Sequence, residues 1–466
     1  MNLLEYNNFY LVGIKGVAMT SMAQILIDAN KKVSGSDIEE EFVTQEILNK
    51  IQVKIDHNFE TPLPSEIDCV IYTAAHDALE NPQVKEALNR QIPVISQAEA
   101  MAWFFNQQQG VAVCGVGGKS TVSAMLTWIL NDLELKPSFS VGVGSIPGLE
   151  KTGQWNPQAK YFIAEADEYV INPQAGESDE EIIPRFSFLK PQLTICTNLK
   201  FDHPDVYQDF KHSKQTYNQF FSQIKPNGKL IINLNDLNYL NNTSLPTLTF
   251  GEAPAADLYL KNYHSKEGNT ISEFYYQQQK FELKLQIPGK FNVLNALAAI
   301  LAATQLEIEP QQAILALSTF SSTKRRFEYI GEKNGVKYYD DYAHHPHEIK
   351  ATVDALDDWY PQQRKVIAFQ SHTYSRTKEL FDEFVESFSE AKEVVMIDIF
   401  SSAREKPDPT ISSTKLCEAI ENKYHSSAQN LKSIEKLAQY CKTQLNSGDI
   451  LITLGAGDIY LVHEII

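Results

Sequence analysis

The stretch Val111–Leu126, VAVCGVGGKSTVSAML, constrains the fold of this chain more than any other segment. Four apolar residues predict a buried strand, a glycine-rich turn follows, and the apolar periodicity of the next residues predicts a helix. A strand that enters a helix through glycines is typical of parallel α/β units that bind phosphate at the start of the helix. The stretch departs from the pattern G-x-x-x-x-G-K-[ST], because Val113 occupies the position of the first glycine.

The residues leave two interpretations of this turn. Successive backbone N–H groups could converge on a phosphate, with a lysine near the β- and γ-phosphate oxygens and a serine hydroxyl suited to Mg²⁺. Alternatively, it is a tight strand-to-helix turn capped by Ser120. The basic and hydroxyl residues directly after the glycines favour phosphate binding. The candidate residues are Gly115, Gly117, Gly118, Lys119, Ser120 and Thr121.

Alternation of strand and helix patterns indicates three successive α/β domains. A chain of 466 residues is too long for one hydrophobic core. We place the domains at residues 1–108, 109–318 and 319–466, each with parallel strands whose carboxyl ends face a site. The alternating pattern between residues 258 and 287 predicts an antiparallel hairpin attached to the central domain.

Composition and the N-terminus narrow the class of protein. A formal charge of −18 disfavours nonspecific binding to nucleic acid or to an anionic membrane surface. The N-terminus lacks the features of a secretory signal, and no apolar run approaches the length of a membrane span. The five cysteines are odd in number and show no C-x-x-C spacing. We therefore expect a reduced, cytoplasmic enzyme, a monomer or a homodimer, that binds small molecules and neither nucleic acid nor the membrane interior.

Polar residues at predicted strand ends suggest further site residues. Glu165 ends a buried strand, and Asp202-His203 follows another, and acidic side chains at neighbouring strand ends beside a phosphate loop suit a hard cation. Histidine is a less usual ligand of magnesium than a carboxylate. We expect Asp167 and Glu168, by contrast, to be a helix cap or solvated loop charges. Asp37 follows Gly13-x-x-Gly16 by about twenty residues, which is the spacing of a dinucleotide turn and its ribose contact, although a plain turn is the alternative.

The predicted third domain carries three polar segments. Residues 324–328 (KRRFE) could be a solvated basic face or could supply charge to a transition state. Residues 340–346 (DDYAHHP) combine a helix start at Pro346 with an unusual concentration of Asp, Tyr and His. Residues 371–377 (SHTYSRT) form a polar loop after a strand, in a position that often carries chemistry in α/β proteins.

Taken in order, these segments resemble the Mur ligases over nearly the whole chain, from about Gly13 to Tyr460. The phosphate loop of that family is the shorter G-x-x-G-K-[ST], so Val113 is not a departure. The resemblance implies a Rossmann-like UDP-substrate domain, a central P-loop ATPase domain with a parallel and a small antiparallel sheet, and a Rossmann-like C-terminal domain. The matching segments are GIKGVAM, GSD, GVGGKST, EADE, TNLKFDHPDVY, GKFNVLNALAA, KRRFE, DDYAHHPHEI, SHTYSRT and LGAGDIY.

The resemblance also implies an activity. ATP and Mg²⁺ would convert the lactyl carboxylate of UDP-N-acetylmuramic acid to an acyl phosphate, and the amine of L-alanine would displace phosphate, in peptidoglycan synthesis. One alternative is the recycling branch of the family, which attaches L-Ala-γ-D-Glu-meso-diaminopimelate to the same acceptor; another is a related ligase for a different amino acid. Outside this class, a nucleotide-binding regulator without ligase activity, or a nicotinamide dehydrogenase based on Gly13-x-x-Gly16, remains open.

Site roles follow from the same resemblance. ATP would be bound by Lys119 at its phosphates, Asn292 and Asn295 at adenine, Arg326 at the phosphates and Asp341 at ribose. Mg²⁺ would be held by Ser120, Glu165 and His203. The UDP moiety would lie near Gly13, Gly16, Ser36 and Asp37, and the amino-acid and muramyl groups near Tyr342, His344 and Arg376. Catalysis would involve Lys119, Glu165, His203, His344 and Arg376.

Four positions depart from the family pattern. Val116 and Gly117 replace the usual Thr and His of the phosphate loop, and Phe291 replaces a His before the adenine asparagine. Thr373 stands where the L-alanine branch often has Arg, which leaves the identity of the amino acid open.

Overall fold

The computed structural model describes residues 1–40, 42–172, 182–203, 206–241, 244–401 and 407–466. The described residues form two compact units. One comprises Met1–Lys261, Glu273–Leu283 and Leu294–Phe320, and the other comprises Asn262–Ser272, Lys284–Val293 and Ser321–Ile466. No helix in these ranges is both long enough and apolar enough to cross a lipid bilayer.

The N-terminal part of the chain forms a five-stranded parallel sheet. Its strands are β1 (Asn8–Val12), β2 (Lys32–Ser36), β3 (Lys54–Asp56), β4 (Cys69–Tyr72) and β5 (Val94–Ser96), in the order β3-β2-β1-β4-β5. Its helices are α1 (Val17–Asp28), α2 (Gln45–Lys50), α3 (Pro82–Asn89) and α4 (Gln97–Phe105). All neighbouring strands are parallel. The strand order reverses at β1, and a crevice outside the carboxyl ends of β1 and β4 is where such sheets bind ligands.

The central part of the chain forms a ten-stranded sheet. Its strands are β6 (Gln109–Cys114), β7 (Ser138–Ser140), β8 (Gly153–Gln154), β9 (Tyr161–Glu165), β10 (Leu193–Cys196), β11 (Lys229–Asn233), β12 (Thr247–Gly251), β13 (Leu258–Lys266), β14 (Asn269–Tyr276) and β15 (Gln279–Leu285), in the order β15-β14-β13-β12-β11-β10-β6-β9-β7-β8. Its helices are α5 (Lys119–Asp132), α6 (Phe210–Phe221), α7 (Lys290–Gln305) and α8 (Pro310–Leu317). Because β6 lies between β10 and β9 and is parallel to both, the residues that follow these three strands meet at one edge.

The segment predicted as a hairpin contains three strands rather than two. The β13–β14 connection includes Gly268 at φ +76°, as a tight turn requires. The β14–β15 connection is Gln277-Gln278, with φ of +50° and +64°. Connections of two residues join antiparallel strands. Glutamine has no special preference for positive φ, so the sequence pattern did not reveal the second turn.

The C-terminal part of the chain forms a six-stranded sheet. Its strands are β16 (Glu328–Lys333), β17 (Val336–Asp341), β18 (Lys365–Phe369), β19 (Glu393–Ile397), β20 (Ser427–Lys432) and β21 (Ile450–Leu454), in the order β16-β17-β21-β18-β19-β20. Its helices are α9 (Pro346–Trp359), α10 (Tyr374–Glu379), α11 (Phe381–Ser387), α12 (Ser413–Tyr424), α13 (Ile434–Gln444) and α14 (Val462–Ile465). Only the β16–β17 pair is antiparallel among the registered pairs of this sheet. The predicted α/β class with parallel sheets is confirmed.

The first two sheets share a core. The side-chain carbonyl of Gln24 on α1 accepts hydrogen bonds from the backbone N–H groups of Thr152 and Gly153, at 3.0 and 2.8 Å. The ring of Phe104 on α4 lies 5.1 Å from that of Trp155. These contacts explain why the first sheet and most of the second lie in one compact unit. The predicted boundaries of the three domains stay a prediction.

Candidate active site

The phosphate loop, residues 115–118, has a conformation that requires glycine at two positions. Gly115 has φ +119° and Gly118 has φ +86°, in the region that residues with a Cβ rarely adopt. A Cβ on Gly115 would also lie 2.3 Å from the Thr197 hydroxyl oxygen, and a Cβ on Gly118 would lie 2.5 Å from the Asn295 side-chain oxygen. The loop leads directly into α5, whose N-terminus favours an anion.

The residues after β10 hold this loop in place. The Thr197 hydroxyl donates to the Gly117 carbonyl at 2.5 Å, and the Asn198 amide donates to the same carbonyl at 2.9 Å. The Gly117 N–H donates in turn to the Asn198 side-chain oxygen at 3.4 Å. Sequence reasoning assigned no role to Thr197 or Asn198, although their position after a strand beside β6 would have been a signal. We infer that they fix the shape of the loop.

Lys119, the first residue of α5, forms ion pairs with two carboxylates. Its ammonium lies 3.0 Å from Glu168 Oε2 and 4.0 Å from Asp167 Oδ1. Burial alone would lower the pKa of Lys119, but the negative charges of Glu168 and Asp167 outweigh it and raise that pKa above its usual value. The lysine is therefore a fixed positive charge at the start of the helix.

The expectation that Glu168 would be a solvated loop charge is wrong. Glu168 is only 3% exposed, and the Tyr207 hydroxyl donates to the Glu168 backbone carbonyl at 2.5 Å. A carboxylate at this depth needs a cationic partner, which Lys119 provides. Asp167 is half-buried and bonded to the Arg185 guanidinium at 2.8 Å. Burial raises the pKa of Asp167, whereas Arg185 and then Lys119 lower it, and the net pKa lies below its usual value.

Two of the predicted metal-binding residues lie in contact. The Ser120 hydroxyl donates to Glu165 Oε2 at 3.1 Å, and the Gly142 N–H donates to Glu165 Oε1 at 2.6 Å. The Glu165 carboxylate is thus positioned at the end of β9, directly beside the first turn of α5. A hydroxyl and a carboxylate oxygen are ligands that suit Mg²⁺.

The third predicted metal ligand, His203, lies beside the carboxylates that pair with Lys119. Its Nε2 is 3.8 Å from Glu168 Oε1 and 3.7 Å from Asp202 Oδ2. Potential ligand atoms of Asp167, Glu168 and His203 lie within 4.8 Å of one another. This donor set also fits a divalent cation, and it includes two acidic residues that the sequence reasoning had not assigned to a metal.

The four residues predicted near the UDP moiety meet at the carboxyl ends of β1 and β2. The Gly13 N–H donates to the Ser36 carbonyl at 2.8 Å, and Gly16 is the N-cap of α1. The Asp37 carboxylate is buried and accepts from the Lys15 N–H at 2.7 Å. The Ser36 hydroxyl donates to the side chain of Gln83 at 2.5 Å. The backbone of Ser36, rather than its hydroxyl, therefore shapes the glycine turn.

Lys15, which replaces the middle glycine of a dinucleotide turn, is a structural residue. It is 1% exposed, and its ammonium donates to the carbonyls of Ile38, Glu39 and Glu40 at 2.7, 3.2 and 2.7 Å. An ammonium has three donors, so these bonds satisfy it completely. Lys15 therefore holds the loop after β2 in place.

The two predicted adenine residues lie on α7. The Asn295 side chain is the group that a Cβ on Gly118 would strike, so it lies against the phosphate loop. Asn292 is buried and its amide donates to the Pro288 carbonyl at 2.8 Å. Asn295 therefore lies against the phosphate loop, and the side chain of Asn292 stabilises the start of α7.

In the other compact unit, two arginines flank Tyr342. The guanidinium carbons of Arg325 and Arg326 lie 5.1 and 5.2 Å from the Tyr342 ring centroid. Arg325 is buried and bonded to Asp340 at 2.9 Å and to the Gly455 carbonyl at 2.6 Å. This pairing makes Arg325 a structural residue, in line with the sequence analysis, which assigned only Arg326 to the ATP phosphates.

Asp341 lies at the end of β17 and is almost fully buried. It accepts hydrogen bonds from the N–H groups of Phe327 and Ala343 at 2.8 and 2.7 Å. Burial raises the pKa of Asp341 to about 7, although the charge of Arg326 and these N–H bonds oppose the increase. The carboxyl group therefore titrates near neutral pH in the free protein.

The histidines after Asp341 surround Glu348. His344 Nδ1 lies 3.0 Å from the Tyr342 carbonyl and 3.6 Å from Glu348 Oε2. Burial alone would raise the pKa of Glu348, but His344 and His347 lower it to about 2.

Arg376, on α10, is 7% exposed, and Thr373, the N-cap of that helix, has φ +71°. The departure at Thr373 thus falls at a backbone position that is unfavourable for a β-branched residue.

The phosphate loop, the lysine at the helix start and the strand-end carboxylates define an α/β nucleotide-phosphate-binding protein. Three family models match in succession: "Mur ligase family, catalytic domain" over residues 8–109, "Mur ligase middle domain" over 113–303, and "Mur ligase, glutamate ligase domain" over 325–457. The chain belongs to the Mur ligase family.

Full-length relatives support this assignment. A UDP-N-acetylmuramate–L-alanine ligase of Clostridium acetobutylicum is 36% identical over 98% of this chain and 96% of its own length. The crystal structure of the UDP-N-acetylmuramate-alanine ligase of Thermotoga maritima has a TM-score of 0.81 at 22% identity, covering 98% of this chain and 97% of that one. A murein peptide ligase of Psychrobacter arcticus has a TM-score of 0.68 at 21% identity, with the same coverage. The two structures show the shared fold.

Proposed function

We propose that this protein is an ATP-dependent, ADP-forming ligase that joins L-alanine to the lactyl carboxylate of UDP-N-acetylmuramate in peptidoglycan precursor synthesis. The observation that carries the proposal is the 36% identity, over 98% of the chain, to an L-alanine ligase of this specificity. The arrangement of Lys119, Ser120 and Glu165 at the phosphate loop supports it.

The chemistry requires activation of a carboxylate. Its negative charge repels nucleophiles, so the γ-phosphoryl group of ATP is first transferred to a carboxylate oxygen, giving an acyl phosphate and ADP. The amine of L-alanine then attacks the carbonyl carbon, an ammonium proton is released, and inorganic phosphate leaves as the amide forms. Transfer of the phosphoryl group depends mainly on positioning and on neutralisation of its charge.

Lys119 provides part of that charge. In the free protein its ammonium is paired with Glu168 and Asp167, and we propose that the phosphates of ATP compete for it. Ser120, Glu165 and His203 would hold Mg²⁺, and Asp167 and Glu168 add donors of the right chemistry. When bound, the cation neutralises charge on the phosphoryl oxygens.

The remaining contacts complete the proposal. Gly13, Gly16, Ser36 and Asp37 bind the UDP moiety; Asn292 and Asn295 the adenine; Arg326 the ATP phosphates; Asp341 the ribose; and Tyr342, His344 and Arg376 the amino-acid and muramyl groups. We also propose a cytoplasmic location, where ATP is available, and a monomer or homodimer.

A phosphate-release assay tests the proposal. Purified protein with Mg-ATP and UDP-N-acetylmuramate should release phosphate with L-alanine, and not when the amino acid or the acceptor is omitted. The panel includes glycine, L-serine and the tripeptide L-Ala-γ-D-Glu-meso-diaminopimelate. Turnover with the tripeptide alone would instead assign the protein to the murein peptide ligases. No turnover with any amine would contradict ligase activity.

A further inference from the structure

Three consecutive residues after β4 have left-handed backbone conformations. His76, Asp77 and Ala78 have φ of +54°, +64° and +46°. Each such conformation is unfavourable for a residue with a Cβ, and several in succession persist only where surrounding contacts impose them. One such contact is the Asn81 amide, which donates to the His76 carbonyl at 3.1 Å. Strained backbone of this kind is concentrated at ligand-binding sites, and in this turn it positions the side chain of His76.

The strained turn faces the glycine turn across the crevice of the first sheet. β4 is the parallel neighbour of β1, and the strand order reverses between them. A Cβ on Gly13 would lie 3.3 Å from His76 Cδ2 and 2.5 Å from Thr73 Cγ2. The imidazole of His76 is therefore in the immediate vicinity of the Gly13 turn, where sheets of this topology bind nucleotides.

The His76 ring is held on two sides. Its Nε2 lies 3.6 Å from Asp37 Oδ1, and its centroid lies 4.8 Å from that of Phe59. Asp37 is itself fixed, because its carboxylate accepts from the N–H groups of Lys15 and Ile38 at 2.7 and 2.9 Å. The His76 side chain nevertheless stays 21% exposed. This combination keeps the ring oriented and still accessible to a ligand.

The ammonium of Lys15, the basic residue of the glycine turn, is bonded to backbone carbonyls of the loop after β2. All three donors of the Lys15 ammonium are used by the carbonyls of residues 38–40, and its side chain is buried. Lys15 therefore does not contact an anion in the crevice. A histidine ring carries at least one N–H group, which can donate to a phosphate oxygen, and such a bond to a charged acceptor is stronger than a neutral one.

We propose that His76 is a substrate-binding residue that donates a hydrogen bond to the diphosphate of the UDP moiety. The inference rests on the proposed function, because it takes a UDP-sugar as the ligand of the first sheet. It adds a side chain that the sequence reasoning did not select. Besides its proposed contact with the UDP moiety, Asp37 positions the ring of His76.

Direct binding of UDP and of uridine to the full-length protein tests this inference. For His76→Ala, we expect UDP affinity to fall about tenfold, because one hydrogen bond to a charged group is lost. Uridine lacks the diphosphate, so its affinity should stay within about twofold. The KM for UDP-N-acetylmuramate should rise, while kcat and the KM for ATP stay unchanged. His264→Asn, at an exposed position of β13, is the matched control and should bind both ligands normally.

The outcomes separate two failures. Unchanged UDP binding by His76→Ala, or an equal loss for UDP and uridine, would overturn the assignment of His76 to the diphosphate. If the wild-type protein does not bind UDP at all, the proposed function itself fails. Thermal melting of each variant distinguishes a binding defect from misfolding, and recovery of UDP affinity in His76→Gln would confirm the role of a side-chain N–H donor.

Discussion

The ammonium of Lys119 lies 3.0 Å from Glu168 Oε2, although the two residues are 49 positions apart. Both side chains are largely withdrawn from water, with 15% and 4% exposure. A partly buried lysine beside a buried carboxylate is stable only as a pair, because either charge alone would carry a desolvation penalty. In the free protein, the carboxylate of Glu168 thus pairs with Lys119, the residue that we propose binds the phosphates of ATP.

Glu168→Gln should therefore destabilise the free protein and increase its response to nucleotide. We expect the free energy of unfolding to fall by about 1–3 kcal/mol, since Lys119 keeps its charge but loses the carboxylate. Without added Mg²⁺, so that cation binding by Glu168 does not contribute, adenylyl imidodiphosphate should raise the melting temperature more in the variant than in the wild type, because its phosphates replace the lost charge. Glu150→Gln, at an exposed position, is the control. Equal nucleotide-induced shifts in all three proteins would contradict this competition.

Lys119→Ala should abolish ligase turnover while leaving the fold intact. Loss of a cation at the transferring phosphoryl group is expected to lower kcat by at least about a hundredfold. Steady-state phosphate release with circular dichroism measures both properties. Lys160→Ala removes a lysine that is 53% exposed and should retain normal activity. Wild-type turnover by Lys119→Ala would refute the assignment of the loop.

The carboxyl group of Asp341 should make stability depend on pH. Burial raises the pKa of Asp341 to about 7 in the folded state, whereas the unfolded chain has the usual value of 3.8. Between these values the folded state holds a proton that the unfolded state has released, so the contribution of Asp341 to stability is greatest below about pH 4 and declines as pH rises to about 7. The total effect is on the order of 2–4 kcal/mol.

Asp341→Asn removes this titration. The melting temperature of the wild type relative to the variant should decrease from pH 4.5 to pH 7.5 and change little above that range. Glu348 does not confound the comparison, because its pKa of about 2 places its own loss of stability below pH 4.5. A constant difference between the two proteins across the range would show that Asp341 is not protonated in the folded state.

Asp77→Gly should stabilise the protein. Asp77 is exposed and has φ +64°, so glycine relieves backbone strain without removing a buried side chain. The gain should be about 0.5–1 kcal/mol after the greater flexibility of glycine in the unfolded chain is taken into account. Thermal or urea unfolding measures it. Glu80→Gly, three residues later and without a positive φ, should show no such gain; equal effects at both positions would argue against strain.

Much of the fold could be predicted from local patterns. The apolar runs that became β4, β6 and β17, the glycine turn before α5 and the acidic end of β9 are visible in the sequence, because each depends on periodicity or on backbone preferences within a few residues. The third strand of the β13–β15 segment could not be predicted, because the turn before it consists of Gln277-Gln278 rather than glycine. Long-range context stabilised a conformation that the local sequence does not favour.

The site divides in the same way. Lys119, Ser120 and Glu165 were predicted because a phosphate loop and a strand end have local signatures, and the structure brings Ser120 and Glu165 together. Glu168, Thr197, Asn198 and His76 were missed because their roles arise from neighbours on other strands. Lys15 stands where a dinucleotide turn has its middle glycine, and only its three carbonyl partners reveal its role.

The amino-acid sequence by itself indicated most of the strands and helices, and a glycine turn with the pattern of a phosphate loop between β6 and α5. Only the tertiary structure decided which side chains lie together: the ammonium of Lys119 with the carboxylate of Glu168, and the ring of His76 beside Asp37. The physical reason is that backbone preferences act over a few residues, whereas burial and ion pairing depend on the order of strands in a sheet. That order brings together residues that are distant along the chain.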